Sequence, residues 1–201
     1  MATLVYDSTI VPASSFSMLL RPNVLAFTSP LSNAIQTLEV PWPRWEARLG
    51  YIDMTTAQGR ALDAFLRRVG GPAGRILMWD LRQSAPTGTQ RGTLTLSGAH
   101  AQGATTLALA GTTAGATLKA GDKLGIGAAG GQVVEVAANA SFTGSGDTIA
   151  ITQPLRTAPG NGTAVVWDKP SFTGQLQDVP VVTHFPGYSR CDSGLTLIET
   201  F

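Results

Sequence analysis

The 201 residues, 43% of them hydrophobic, suffice for one sizeable domain or for a domain carrying a smaller insertion. Lys and Arg total 14 against 13 Asp and Glu, so the net charge of +1 provides no overall field to draw the chain to nucleic acid or an anionic membrane. Only 13% of residues are charged, well under the roughly 25% usual in soluble domains, so Ser, Thr, Gly and Ala must form much of the surface; such a chain stays soluble more easily when neighbouring copies cover part of its exterior, although small polar residues alone can also suffice.

The opening stretch, MATLVYDSTIVPASSF, lacks a basic segment followed by an apolar one, and no run approaches 18 apolar residues; neither an export signal nor a membrane-spanning helix is expected. In VPWPRWEARLGYIDM the residues Trp45, Ala47, Leu49 and Tyr51 fall on one face and Glu46 and Arg48 on the other, the spacing of a half-buried strand. Pro41 and Pro43 hold the preceding chain extended, so this strand should start at about Arg44.

A helix is predicted over about 56–69. Thr55 or Thr56 can cap it, Leu62, Phe65, Leu66 and Val69 form one apolar stripe, Arg67 and Arg68 suit its last turn, and Gly70-Gly71-Pro72 stops it. If Phe65 is buried, its truncation to alanine should cost about 3–5 kcal/mol. The following RILMWDL is apolar on both faces, Ile76 and Met78 against Leu77 and Trp79, as in a strand covered from each side, with the helix as one cover.

From about Gly92 to Trp167 the composition shifts to Gly, Ala and Thr, with short strand-like runs such as GTLTLSG, TTLALAG and QVVEVAA. This stretch reads as a small all-β module, electrically neutral, with Lys119, Lys123 and Arg156 against Asp122, Glu135 and Asp147. Aromatic residues and prolines return after Asp168, and Leu195, Leu197 and Ile198 need a sheet to join. The expected organisation is therefore residues 1–91 plus 168–201 as one β domain with 92–167 inserted; two domains in series is the alternative.

Signals for chemistry are weak. Gly125 to Gly130 fits G-x-G-x-x-G, with Asp147 at about the right remove, but the strand-like GQVVEVAAN follows where a dinucleotide site needs a helix, so a glycine-rich hairpin turn is expected. His184 and Cys191 could converge without an orienting third group, and His100 reads as a turn residue. Asp122 and Asp147 share no ligand-spaced loop, and no Cys/His cluster suits zinc. Cys191 is the only cysteine, so no internal disulfide can form. Asn139-Ala140-Ser141 and Asn161-Gly162-Thr163 are read as turns. No enzymatic activity, catalytic residue, metal or cofactor is expected. The module's aromatic surfaces, Phe142 and Trp167, are few for a lectin.

Eight arginines lie between Arg44 and Arg91 with four acids among them. They are spread over strand faces and the helix end, which suits planar salt bridges between subunits better than a phosphate track. The candidate subunit interface is Trp42, Arg44, Trp45, Arg48, Arg67 and Arg68.

The stretch WEARLGYIDMTTAQGRALDAFLRRVGGPAGRILMWDL, together with the tail LTLIETF, resembles distal tail proteins of long non-contractile-tailed, siphovirus-like phages and of gene transfer agents; LKAGDKLGIGAAGGQVVEV resembles a β-module often inserted in them. The resemblance implies a mainly β fold, a tail-tube-like barrel or sandwich with one flanking helix. It implies six copies closing into a ring in the virion, assembled in the cytoplasm of a bacterial host. The implied partners are the tail tube protein and the hub or tip proteins, with DNA passing through without specific binding and no membrane contact. A receptor- or glycan-binding tail module, or a tube or terminator ring, is the alternative.

Overall fold

The computed structural model describes residues 3–7, 12–39 and 42–200. In chain order it runs β1 (Thr3–Val5), β2 (Ser15–Arg21), β3 (Val24–Thr28), β4 (Ile35–Glu39), β5 (Arg44–Met54), α1 (Thr56–Val69), a single 3-10 turn at Gly71–Ala73, and β6 (Arg75–Met78). There follow β7 (Leu94–Leu96), β8 (Thr106–Ala110), β9 (Thr117–Leu118), β10 (Lys123–Ile126), β11 (Gln132–Glu135), β12 (Ala140–Ser141), β13 (Asp147–Ala150) and β14 (Ala164–Val166). The chain ends with β15 (Phe172–Leu176), β16 (Thr183–Phe185) and β17 (Tyr188–Glu199). The fold is mainly β, with one α-helix among the described residues.

The first sheet has the order β1-β6-β15-β17-β5-β2, with β16 added to β17. Its long central pair, β5 and β17, is antiparallel and carries register breaks between Ser189 and Cys191 and between Cys191 and Leu195. Extra residues on one strand of a pair bend it and raise its twist, so these bulges curl the sheet into a half-barrel. The curl brings Tyr6, just after β1, to Tyr51 of β5, their hydroxyls 2.8 Å apart. Burial pushes the ionisation of both phenols up, so the pair stays neutral.

Alternation in β5 gives the inner face: Trp45, Ala47, Leu49 and Tyr51 are all buried. Helix α1 lies across β5, β16 and β17. Thr55 caps it with a reciprocal pair of bonds, its hydroxyl accepting the Gln58 amide at 3.2 Å while the Gln58 side chain accepts the Thr55 amide at 2.9 Å. Gly70, left-handed at φ 73°, closes the other end by donating to the Leu66 carbonyl. Leu62, Leu66 and Val69 are buried in the core that also holds Ile76 and Met78. Phe65 departs from the expected stripe: it is half-buried and meets Tyr6 edge-on at 6.0 Å, because it sits at the margin of the helix footprint rather than beneath it.

After Met78 the chain leaves this sheet, and it returns at Phe172, whose pairing partner is Met78 itself. Between these points lies a second sheet, β11-β10-β14-β7-β8-β13, with the small β9–β12 pair beside it and its own core of residues such as Leu107, Leu109, Leu124 and Val134. The two sheets are fastened together. The Trp45 indole N–H donates to the Val133 carbonyl at 2.9 Å, and the Glu199 carboxylate accepts both the Trp45 amide at 3.0 Å and the Arg156 guanidinium at 2.6 Å. Lys123 pairs with Asp80 at 3.1 Å and lies 5.6 Å over the Trp45 ring. Burial pushes the Glu199 carboxyl above its ordinary range, with Arg156 and the Trp45 amide offsetting only part of it. At Asp80 burial also raises, but Arg82 and Lys123 outweigh it and the carboxyl ends below its ordinary value.

Strand β6 is covered on both faces, as its sequence predicts. Ile76 and Met78 face the core under α1, while Leu77 faces the Gly130 turn of the second sheet, where a Cβ on Gly130 would overlap Leu77 and Thr173.

Candidate subunit interface

The six residues expected at a subunit interface occupy different surroundings. Trp45 is a correction: at 2% exposure, with its indole bonded across the junction, it belongs to the interior and cannot meet another subunit. A buried strand and an interface both select tryptophan, and alternation alone does not distinguish them. Arg48 lies on the opposite face of β5, where it and Arg21 close over Glu46 at 2.6 and 3.1 Å; this cover explains why a carboxylate on the outer face is only 1% exposed. Arg44 is exposed at the start of β5 and close enough to Glu199 to favour its charged form. Trp42, half-buried with φ 78°, lines a shallow groove with Gln132, Arg156 and Thr200. Arg67 pairs along the helix with Asp63 at 2.7 Å, and Arg68 stands at the rim of a groove between β1 and α1.

The apolar surface lies elsewhere, in a segment composition did not single out. Strands β3 and β4 form a two-stranded antiparallel sheet of their own, with no third strand among the described residues. All their residues are exposed. The pairing Leu25↔Leu38 and Phe27↔Gln36 sets Leu25, Phe27 and Leu38 on one face; Val24 and Ile35 lie on the other, and Leu31 stands at the tip, 98% exposed. From Pro22 to Leu38 the arm bears no charge, and its first is Glu39. A lone two-stranded hairpin is marginal in water, and one that exposes six large apolar side chains over its two faces and tip ordinarily has a partner. The signal was present as VLAFT and IQTLE, two short strand-length runs on either side of Ser29-Pro30; what no pattern reveals is that neither face is covered.

The remaining candidates for chemistry resolve into structural roles. His184 Nδ1 lies 2.9 Å from the Ser189 hydroxyl, which is buried under Gly59 of α1. Cys191 is buried, its thiol directed at the Gly194 carbonyl, and burial pushes its ionisation up, away from the reactive thiolate. His100 accepts the Ala108 amide through Nε2 at 2.9 Å. The glycine motif at 125–130 joins β10 to the antiparallel β11, a hairpin with no helix N-terminus to hold a pyrophosphate. Asp122 gathers the amides of Thr87, Gly88 and Lys119, and these outweigh the burial that would raise its carboxyl. Asp147 accepts from the Thr112 hydroxyl at 2.6 Å and from the Thr143 and Gly144 amides, which bring it down to about 2. Asn139 and Asn161 accept the Ala120 and Gly98 amides as turn residues. The half-buried Trp167 donates to the Gly92 carbonyl at 2.6 Å and is covered by Arg91 at 5.2 Å, so its ring is no open stacking platform.

No group of three or more His, Cys, Asp or Glu among the described residues could hold a metal ion, and no helix there is long and apolar enough to cross a membrane. Comparison with models of protein families and with curated proteins found no match.

Proposed function

We propose that the chain is a structural protein of a long non-contractile phage tail: a ring at the distal end of the tube that joins it to the hub or tip proteins and surrounds the path of the leaving DNA. The observation that carries the ring is the β3–β4 arm, an apolar ribbon with Glu39 as its one charge, held away from both cores. Two further features support it. The half-barrel ends in β1 at one edge and β2 at the other, so each copy offers two strand edges that neighbours can extend. Helix α1 covers one face of the sheet with Leu62, Leu66 and Val69, which accounts for a single helix in a β protein. The position in the tail and the count of six rest on the resemblance of the WEARLGYIDM to ILMWDL stretch and of the LTLIETF tail to distal tail proteins. Near-neutral charge suits a channel that must let DNA through without retaining it.

The test is to label purified tailed particles with antibody against this chain. Label confined to the junction of tube and tip is expected. Unlabelled particles, or label along the whole tube, would contradict the proposal.

A further inference from the structure

We infer that β2 is a site of strand addition, where an extended segment of a different chain, apolar at every second residue, pairs with its open edge. This deepens the ring reading above, assigning a partner to one of its two open edges, and rests on it. Strand β2 pairs with β5 on one side only, and no described residue bonds to the main chain of Ser15–Arg21 on the other. It is the longest open edge among the described residues. β9 and β12 have two residues, β1 and β16 three, β3 and β4 five, and the second sheet closes on itself where Val136 bridges Ile151. The seven residues of β2 include no proline, no bulge and no inward-facing charge, the devices that ordinarily keep an edge from pairing.

Alternation along β2 defines the occupant. Phe16, Met18 and Leu20 face the core beside Leu49, Ala47 and Trp45, yet Phe16 and Leu20 are only half-buried, with Arg82 lying 5.8 Å over the Phe16 ring. Apolar side chains on an added strand would finish that cover. On the outer face Ser15, Ser17, Leu19 and Arg21 are exposed. The charges on this face are Arg21, Arg44, Arg48 and the Glu46 that Arg21 and Arg48 cover, with the Arg190–Asp192 pair near Ser15. The partner's outer row is therefore polar, with an acid opposite Arg21. An edge of main-chain donors and acceptors selects an extended strand over a helix or a lipid surface. A second copy is the poorer occupant. Its open strands β1, β3, β4 and β16 are all shorter than β2, and β2 against β2 makes a two-fold pair, which closes at two copies and builds no ring.

The probe is a capped heptapeptide with glutamate first and valine and threonine alternating after it. Antiparallel on β2, it sets the glutamate opposite Arg21 and its valines beside Leu20, Met18 and Phe16. Amide hydrogen exchange of the full chain should slow several-fold at the β2 amides that do not bond to β5, and lysine in place of the glutamate should weaken the effect several-fold. Of two further peptides, N-methylated at opposite sets of alternate residues, one should protect β2 and the other not, because a strand turns only one edge to its neighbour. No protection of the folded chain by the glutamate peptide would overturn the inference, as would two methylated peptides that behave alike. Strand β2 amides that are protected without peptide and exposed on dilution would make the occupant a second copy and overturn it too. Label at the junction of tube and tip without peptide pairing would sink the edge assignment and leave the tail reading standing; pairing in a chain whose antibody leaves tailed particles unlabelled would do the reverse.

Discussion

Gly59 sets how closely α1 approaches the sheet. A Cβ there would overlap the Cβ and hydroxyl of Ser189, which is fully buried on β17 and has nowhere to move. Alanine would gain about 1 kcal/mol of helix propensity, but overpacking typically costs about 1–3 kcal/mol, so Gly59→Ala should destabilise by as much as about 2 kcal/mol, seen as a lower urea midpoint at unchanged slope. On the same helix, Leu62→Ala should cost about 2–5 kcal/mol. Phe65→Ala should cost less than Leu62→Ala, because Leu62 is fully enclosed and Phe65 lines an open groove. Asp147 supplies the pH test. Its carboxyl falls from the ordinary 3.8 to about 2, with Thr112 as the first cause. A depressed carboxyl contributes stability that is present above its unfolded value and lost as pH falls through the folded one. Wild type should therefore lose stability relative to Asp147→Asn as pH drops from about 4 to about 2, measured by thermal unfolding of both chains across that window.

Among the elements, β5 does most to position the rest. One face carries Trp45, Ala47, Leu49 and Tyr51 into the core, and Trp45 also bonds to Val133 of the second sheet. Trp45→Phe keeps a ring under Lys123 but loses the indole donor and some volume; it should cost about 1–3 kcal/mol, measured by denaturant unfolding. The Val133 carbonyl would still accept Gln153 at 2.7 Å, which keeps the loss moderate. Much of this element was legible in the sequence. The strand starts at Arg44 because Pro43 precedes it, and α1 begins and ends where Thr55 and Gly70 cap it. Such signals are local, and local physics sets them. The bulges of β17 were not legible, since Cys191-Asp192-Ser193-Gly194 reads as an ordinary turn-prone tetrad until its partner strand is known. Nor was the split of the arginines: Arg48 serves Glu46 two residues away and Arg67 serves Asp63 one turn away, while Arg68, their neighbour in sequence and composition, lines a groove. Which charge is already neutralised depends on side-chain reach, and a list of arginines does not contain it.

For the whole molecule, the scarcity of charge and the exposed arm express one condition. A chain with only 13% charged residues resists non-specific association weakly, and six large apolar side chains on an unsupported ribbon add an attractive site. In the proposed ring, burial of the arm against another copy would relieve both, and it would keep the open edges at β1 and β2 from pairing at random. Sedimentation velocity tests this most directly, comparing wild type with a chain carrying Leu25→Asn, Phe27→Asn and Leu38→Asn, substitutions confined to one exposed face of the arm. Wild type should sediment as a closed oligomer that dissociates on dilution, and the variant as a folded 20.9 kDa monomer with an unchanged circular dichroism spectrum. A wild-type chain that remains at 20.9 kDa at every concentration, or a variant that keeps the oligomer, would contradict it.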